Sequence, residues 1–318
     1  MLTTSLSIAG GLILLLAGGE SLVRGSVAVA RSLKVSPLLI GLTLVGFGTS
    51  TPELVTSLEA ALAGSPGIAI GNVVGSNIAN ILLILGIAAL LRPFACHPGA
   101  FRRDGAVLIG SALLGTGVML FGTMTRPAGL ILVVLLIAYV VWTYLTERGH
   151  PESESAALHA GEAGLAEPVP ARLGLSLVLA ASGIAMTILG ARLLVTGTMT
   201  LAREAGISET LLGLTLVAVG TSLPELVTSV IAALRRQGEI AFGNVVGSNI
   251  YNILGILGVT ALVHPIAVPP EVLRLDVWVM IAATFLLAAF TVTGWRITRL
   301  EGGVCLAGYV GYIAVLAV

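Results

Sequence analysis

Charge is scarce in this chain. Of 318 residues, 16 are Lys or Arg and 16 are Asp or Glu, only 10% together, and the formal net charge is zero. A soluble domain carries roughly 25% charged residues, so a chain that is 56% hydrophobic, with a mean hydropathy of +1.05, belongs in a bilayer. No basic patch is present, which leaves nucleic acid without a binding surface. Cysteine occurs only twice, too few for a disulfide scaffold, and neither it nor any of the four histidines falls within the repeated polar motif described below, which disfavours a zinc site there. Cys96 is expected near the cytoplasmic face and Cys305 inside the last span, so a disulfide between them is not expected.

What the chain has instead is long apolar runs. A bilayer-crossing helix needs roughly 20 apolar residues, and ten runs qualify: about 5–30, 37–63, 68–91, 104–122, 127–146, 173–198, 207–234, 240–263, 272–293 and 301–318. The first follows Met1 with no basic n-region, the pattern of a retained span rather than a cleaved signal. The expected fold class is an all-α integral membrane protein of ten transmembrane helices. They form an N-terminal five-helix repeat (1–146) and a C-terminal one (173–318), joined by a cytoplasmic linker (147–172). That linker is rich in Glu, Ala, Gly and Pro, has no apolar periodicity, and lacks the alternating acidic spacing of a calcium loop.

Two runs are one text written twice. GFGTSTPELVTSLEAAL with GNVVGSNIANILLILG recurs as AVGTSLPELVTSVIAAL with GNVVGSNIYNILGILG, and each residue of the first copy has its partner 172 positions later, as Glu53 has Glu225 and Asn80 has Asn252. Five spans per half place the second copy in the membrane upside down, an arrangement common in secondary transporters. Eleven basic residues, among them Arg31, Lys34, Arg235 and Arg236, fall in one set of loops, and only Arg126, Arg203 and Arg274 in the other. The positive-inside rule then puts the first set in the cytoplasm and both termini outside.

Each copy holds one glutamate inside an apolar run, and an ionised carboxylate there is costly unless something compensates it. Pro52 lacks the N–H that would bond the Gly48 carbonyl, and Pro224 does the same to Gly220, so both spans are expected to kink or unwind just before the glutamate. Thr49 and Glu53 are four apart and share a helix face. Asn72, Ser76 and Asn80, and likewise Asn244, Ser248 and Asn252, form polar stripes four residues apart. Asn72, Asn77, Asn244 and Asn249 suit helix glue as well as ion ligands, whereas the ligand reading is stronger for Ser76, Asn80, Ser248 and Asn252. Two carboxylates with amides, hydroxyls and unwound carbonyls are hard oxygen donors, fit for one Ca²⁺ or several Na⁺. Empty ionised carboxylates in low dielectric favour exchange over leak, and protons are a competing way to neutralise them. An intramembrane hydrolase lacks a base near Ser50 or Ser222, because His97 and His264 follow the third and eighth spans at opposite faces. A cation channel is the remaining alternative. Glu20 and Glu59 have no acidic equivalents, Arg192 and Ile231 standing in their places, and are left outside the site.

GTSTPEL with GNVVGSNIAN, and GTSLPEL with GNVVGSNIYN, resemble the two alpha-repeats of the sodium/calcium exchanger family, within the cation/calcium antiporter superfamily. The resemblance covers nearly the whole chain. It implies a transporter and not an enzyme, with Na⁺-driven Ca²⁺ exchange at a site between the second and third spans of each half. The implied ligands are the side chains of Glu53, Glu225, Ser50, Ser222, Ser76, Ser248, Asn80 and Asn252, with backbone oxygens of Thr49, Thr221, Gly46 and Ala218. The first and sixth spans would slide to alternate access. In potassium-dependent relatives Asp replaces the residue here occupied by Asn252, so the resemblance points away from K⁺ co-transport. The calcium/proton branch places an acid in its GN motif, where this chain reads GNVVGSN. No cofactor is implied beyond the transported Ca²⁺ and Na⁺. The expected partners are those ions and the lipid bilayer of a prokaryotic plasma (inner) membrane, and nothing requires more than a monomer.

Overall fold

The computed structural model describes residues 2–35, 40, 43, 47–96, 98–148 and 173–317. Helix α1 (Leu2–Ser32) is followed by α2 (Thr51–Leu62), α3 (Pro66–Leu91), α4 (Pro98–Met119) and α5 (Arg126–Arg148). The second copy supplies α6 (Leu173–Ala205), α7 (Glu209–Thr221), α8 (Leu223–Leu234), α9 (Gly238–Val263), α10 (Val272–Val292) and α11 (Arg299–Leu316). Among the described residues, seven of these helices (α1, α3, α5, α6, α9, α10 and α11) are long and apolar enough to cross a membrane. The pair α7 and α8, bent by 47°, makes an eighth if taken as one span. The expected count of ten is not reached on this criterion. Of the span expected at 37–63, the described helix is the 12-residue α2, too short to cross alone. Helix α4 has 22 residues but carries Arg102, Arg103 and Asp104 in its second turn.

Helices α1 and α6 form a seam of their own. Gly11, Gly18 and Gly25 recur every seven residues along α1, and Gly183, Gly190 and Gly197 are their equivalents on α6. A Cβ at Gly11 would meet the Gly190 carbonyl at 2.8 Å, one at Gly18 the Gly183 carbonyl at 3.0 Å, and one at Gly25 the Ser176 carbonyl at 2.8 Å. Contacts that descend α6 as they ascend α1 mean the two helices run antiparallel, backbone against backbone, as small residues allow. Helices α3 and α9 are the most deeply buried of the spanning helices, and both are interrupted by a π-helical stretch, Ala79–Leu85 and Asn252–Leu257.

Two short antiparallel pairings tie the copies together. Strand β1 (Phe94–Ala95), between α3 and α4, pairs with β4 (Arg296–Ile297), between α10 and α11. Strand β2 (Thr123–Met124) pairs with β3 (Ile266–Ala267) in the equivalent exchange. Cys96, just past β1, is buried, and burial with Glu239 and Glu301 nearby pushes its thiol up to about 12. Cys96 and Cys305 are both free.

Four helix ends close alike, with a left-handed residue and a bond from the next N–H to a carbonyl five residues back. The bonds are Val35 to Ala30, Ser65 to Ala60, Ile207 to Ala202 and Gln237 to Ala232, at 2.8–3.0 Å. The left-handed residue is Gly64 (φ 75°) or Gly206 (φ 68°) in two of them, but Lys34 (φ 57°) and Arg236 (φ 66°) in their equivalents. A side chain in that conformation costs about 1–2 kcal/mol, so something other than backbone comfort placed a base there.

A further polar pair escaped sequence reading. Tyr139 on α5 donates to Asp104 Oδ1 on α4 (3.0 Å), and Tyr312 on α11 donates to Asp276 Oδ1 on α10 (2.8 Å). In the first copy the pair grows into a network, where Arg103 bonds Asp104 at 2.7 Å and reaches buried Glu147 at 2.8 Å. Glu147 is therefore part of α5 and not of a linker, whose remaining residues 149–172 lie outside the described set. The seam generates a test. A Cβ at Gly183 would lie 2.4 Å from the Leu22 backbone nitrogen, whereas one at Gly10 meets nothing within 4 Å. Gly183→Val should lower the thermal stability of the purified protein by about 1–3 kcal/mol, and Gly10→Val should leave its melting temperature unchanged.

Candidate functional site

The unwinding expected before each glutamate is present. Ser50 (φ −87°, ψ 9°) and Ser222 (φ −82°, ψ 9°) leave the helical region, and α2 and α8 restart with proline in their first turn. Thr49 thus falls on the far side of the break from Glu53 and does not share its helix face. The Gly48 carbonyl is not left free either. It accepts from the Thr51 N–H at 3.2 Å, the chain tightening into a three-residue turn at the break.

The break points each serine at the other copy's glutamate. Ser50 Oγ donates to Glu225 Oε1 at 2.7 Å, and Ser222 Oγ donates to Glu53 Oε1 at 2.9 Å. Ser50 Oγ also lies 3.3 Å from Ser248 Oγ, and Ser222 Oγ 3.1 Å from Ser76 Oγ. Ser76 Oγ in turn donates to the Ala218 carbonyl at 3.4 Å, and Ser248 Oγ is 3.5 Å from Glu225 Oε1. Six of the expected ligand residues therefore fall into two reciprocal clusters, Ser50 with Glu225 and Ser248, and Ser222 with Glu53 and Ser76, the second reaching the Ala218 carbonyl. Thr221 ends the helical turn before the break. Its hydroxyl lies 3.0 Å from Asn72 Oδ1. Gly46 lies outside the described residues.

Asn80 and Asn252 stand where α3 and α9 become π-helical, and both are buried. A π turn widens the backbone ring by one residue and re-aims the side chains beyond it, a feature found often at functional sites. Asn80 Nδ2 donates to Asn249 Oδ1 at 3.0 Å, leaving Asn80 Oδ1 without a partner, and neither polar atom of the Asn252 side chain has one.

The electrostatics are stark. Glu53 is 1% exposed and Glu225 0%, and the Oε2 atom of each is buried with no hydrogen-bond partner. Among the described residues no ion pair reaches either carboxylate, and no group of three or more His, Cys, Asp or Glu side chains assembles. What converges is therefore two carboxylates with neutral oxygens, the donor chemistry of a hard cation such as Ca²⁺ or Na⁺.

Behind these groups lie braces. Asn72 Nδ2 donates to the Glu53 carbonyl (3.1 Å) and to Ser57 Oγ (2.9 Å); Asn244 Nδ2 makes the equivalent bonds to the Glu225 carbonyl (3.4 Å) and Ser229 Oγ (3.1 Å). Asn77 bonds Val73 of its own helix, and Asn249 donates to the Asn77 carbonyl at 3.4 Å. Asn72, Asn244 and Asn249 thus bond across helices, Asn249 also accepting from Asn80, whereas the Asn77 side chain bonds only within its own helix. Ser57 and Ser229 were missed in the sequence. The signal was there, because both copies read ELVTS, with the serine four residues past the glutamate.

The model of the family described as "Sodium/calcium exchanger protein" matches residues 4–145 and 175–318. The chain is 37% identical to the sodium/calcium exchanger MaX1 of Methanosarcina acetivorans, covering 96% of each. It is also 37% identical to the putative antiporter CaxA of Alkalimonas amylolytica, covering 98% of each. To the inner membrane protein YrbG of Escherichia coli it is 35% identical over 100% of this chain and 96% of that one. Among solved structures, the sodium-calcium exchanger NCX_Mj soaked with Na⁺ and Sr²⁺ is 34% identical, with a TM-score of 0.66 and 98% of both chains covered. With the site's reciprocal geometry and a match along almost its entire length, the chain belongs to the sodium/calcium exchanger family.

Proposed function

We propose that this protein is a secondary antiporter that exchanges Na⁺ for Ca²⁺ by alternating access. One observation carries the reading: two buried carboxylates, each with an unpartnered oxygen, face neutral donors with no protein cation to balance them among the described residues. In low dielectric such a site is stable only when loaded, so it crosses the membrane with a cation or a proton aboard. Ca²⁺ would take Glu53, Glu225, the Thr221 and Ala218 carbonyls and their first-copy equivalents. Na⁺ ions would spread over the same carboxylates with Ser50, Ser76, Asn80, Ser222, Ser248 and Asn252.

The architecture we propose is ten spans in two inverted five-helix repeats with both termini outside, in a prokaryotic plasma membrane. The antiparallel glycine seam between equivalent helices supports the inversion. So do Lys34 and Arg236, which take left-handed turns on the proposed cytoplasmic side where the outer equivalents are glycine. Single cysteines at Ser32 and Glu204, with Cys96 and Cys305 replaced, should be labelled from opposite sides of a sealed membrane. Labelling from one side would end the inverted model.

Glu53→Gln and Glu225→Gln keep side-chain size and leave a divalent ion facing one negative charge. Either change should abolish Ca²⁺ uptake while leaving the protein monodisperse in detergent. A proton neutralises an empty carboxylate as a cation does, so wild-type exchange should fall as pH is lowered. Uptake near wild type in either variant would place the site elsewhere.

The coupling ion follows from the site's charge. With amides at Asn80 and Asn252 the site holds two formal negative charges. One Ca²⁺ makes it neutral, and three Na⁺, the number the family resemblance suggests, leave it one charge positive. Vesicles loaded in turn with Na⁺, K⁺ or protons should take up Ca²⁺ only against Na⁺, with no K⁺ present. The rate should respond to an imposed potential, worth about 2.3 kcal/mol per charge per 100 mV. Uptake driven equally by protons, a K⁺ requirement, or indifference to voltage would refute this assignment.

A further inference from the structure

The two copies are not in the same state. Helix α6 packs along α2, the short helix that carries Glu53, whereas the equivalent contact of α1 on α8 is almost absent. The exposures agree. Val227 (54%) and Ile231 (41%) are open on α8, while their equivalents on α2, Val55 and Glu59, are partly covered. The face of α2 is thus covered by α6, whereas the equivalent face of α8 is left uncovered by α1.

The covered side carries an ion pair. Arg192 Nε on α6 lies 3.2 Å from Glu59 Oε1 on α2, with side chains 66% and 21% exposed. Glu59 sits six residues past Glu53 and one turn before α2 ends, about 9 Å along the helix from the site. The pair therefore lies at the edge of the packed helices, with the Arg192 side chain largely uncovered and Glu59 partly covered. The other copy has no counterpart. Its equivalent positions are Glu20 and Ile231, and Glu20 instead pairs with Arg24 on its own helix at 2.5 Å. When α1 closes on α8, Glu20 meets an isoleucine.

We infer that Arg192 and Glu59 form a one-sided latch that holds α6 against α2 and biases the resting protein toward the state in which the passage beside α2 is closed. The inference rests on the alternating-access reading. With both termini outside, the latched passage is the outer one. Because the pair exists in one state only, it shifts the balance between states. Outer ions then bind with an apparent affinity reduced by the fraction of molecules unlatched. Arg192 and Glu59 touch no ligand-bearing atom of the site and act by positioning α6.

The test uses the full-length protein in sealed vesicles with Cys96 and Cys305 replaced and one reporter cysteine at Val55 or at Val227, which are equivalent positions. With a membrane-impermeant maleimide applied to the cytoplasmic face in inside-out vesicles for Val227→Cys and to the outer face in right-side-out vesicles for Val55→Cys, position 227 should react rapidly and position 55 slowly. Glu59→Gln or Arg192→Gln should raise labelling at 55 and lower it at 227, each by about two- to fivefold, the range for a water-accessible ion pair. The apparent affinity for external Ca²⁺ should rise by a similar factor. The charge swap Glu59→Arg with Arg192→Glu should restore the wild-type labelling ratio, and Arg192→Lys should retain most of it. Unchanged labelling in both neutral variants, or a swap that behaves like them, would overturn the latch. Labelling needs no transported ion, so the latch is tested apart from the identity of the cargo. Loss of reactivity at both reporters would mark a misassembled variant, and the swap and Arg192→Lys would then decide.

Discussion

Two carboxyl groups in one dry place, with no basic side chain paired to them among the described residues, organise this protein. Isolated ionised carboxylates are among the least tolerable groups in an apolar interior. Everything near Glu53 and Glu225 serves to keep them there. Prolines break the helices so that serines from the opposite copy reach across, and asparagines on α3 and α9 fix the broken turns from behind. Even so, one oxygen on each carboxylate stays unmet. Buried polar groups are nearly always satisfied in folded proteins. That both exceptions fall at matching positions on the two glutamates is the observation on which the proposed cation site rests.

The reciprocity of the site has an energetic meaning. Each glutamate is bonded by a serine that comes from the other copy, so neither carboxylate is organised by its own repeat alone. A change in the relation between the copies is therefore felt at both charges together. The asymmetry between α6 on α2 and α1 on α8 exists although the two glutamates remain equally buried. The site and the passages to it are thus separate parts of the design. Helices α1 and α6 interlock by glycines with each other and lie outside the network that holds the carboxylates.

Much of this was legible in the sequence, for physical reasons. Glutamate inside an apolar run, proline beside glycine, and serine or asparagine every fourth residue are rare in a bilayer, so their repetition at a fixed offset singled out side chains that the fold brings together. The break at Ser50 and Ser222 followed from proline chemistry alone. The π turns after Asn80 and Asn252 did not, since they alter hydrogen-bond register within an apolar stretch that reads as ordinary helix. The Asp104–Tyr139 and Asp276–Tyr312 pairs were hidden because the tyrosine offset differs by one residue from the 172 that holds elsewhere. Nor does composition betray two-residue strands. Among the described residues the span count also fell short on apolarity and length, because α2 is short and α4 carries Arg102, Arg103 and Asp104 in its second turn.

Those strands have a consequence for how the chain holds together. β1 is completed by a strand from the far end of the other copy, and β2 likewise, so each half lends an edge that the other needs. A lone half would leave both edges bare. Prying the copies apart therefore exposes unpaired backbone at two places at once, and each half depends on the other for a surface it does not finish alone.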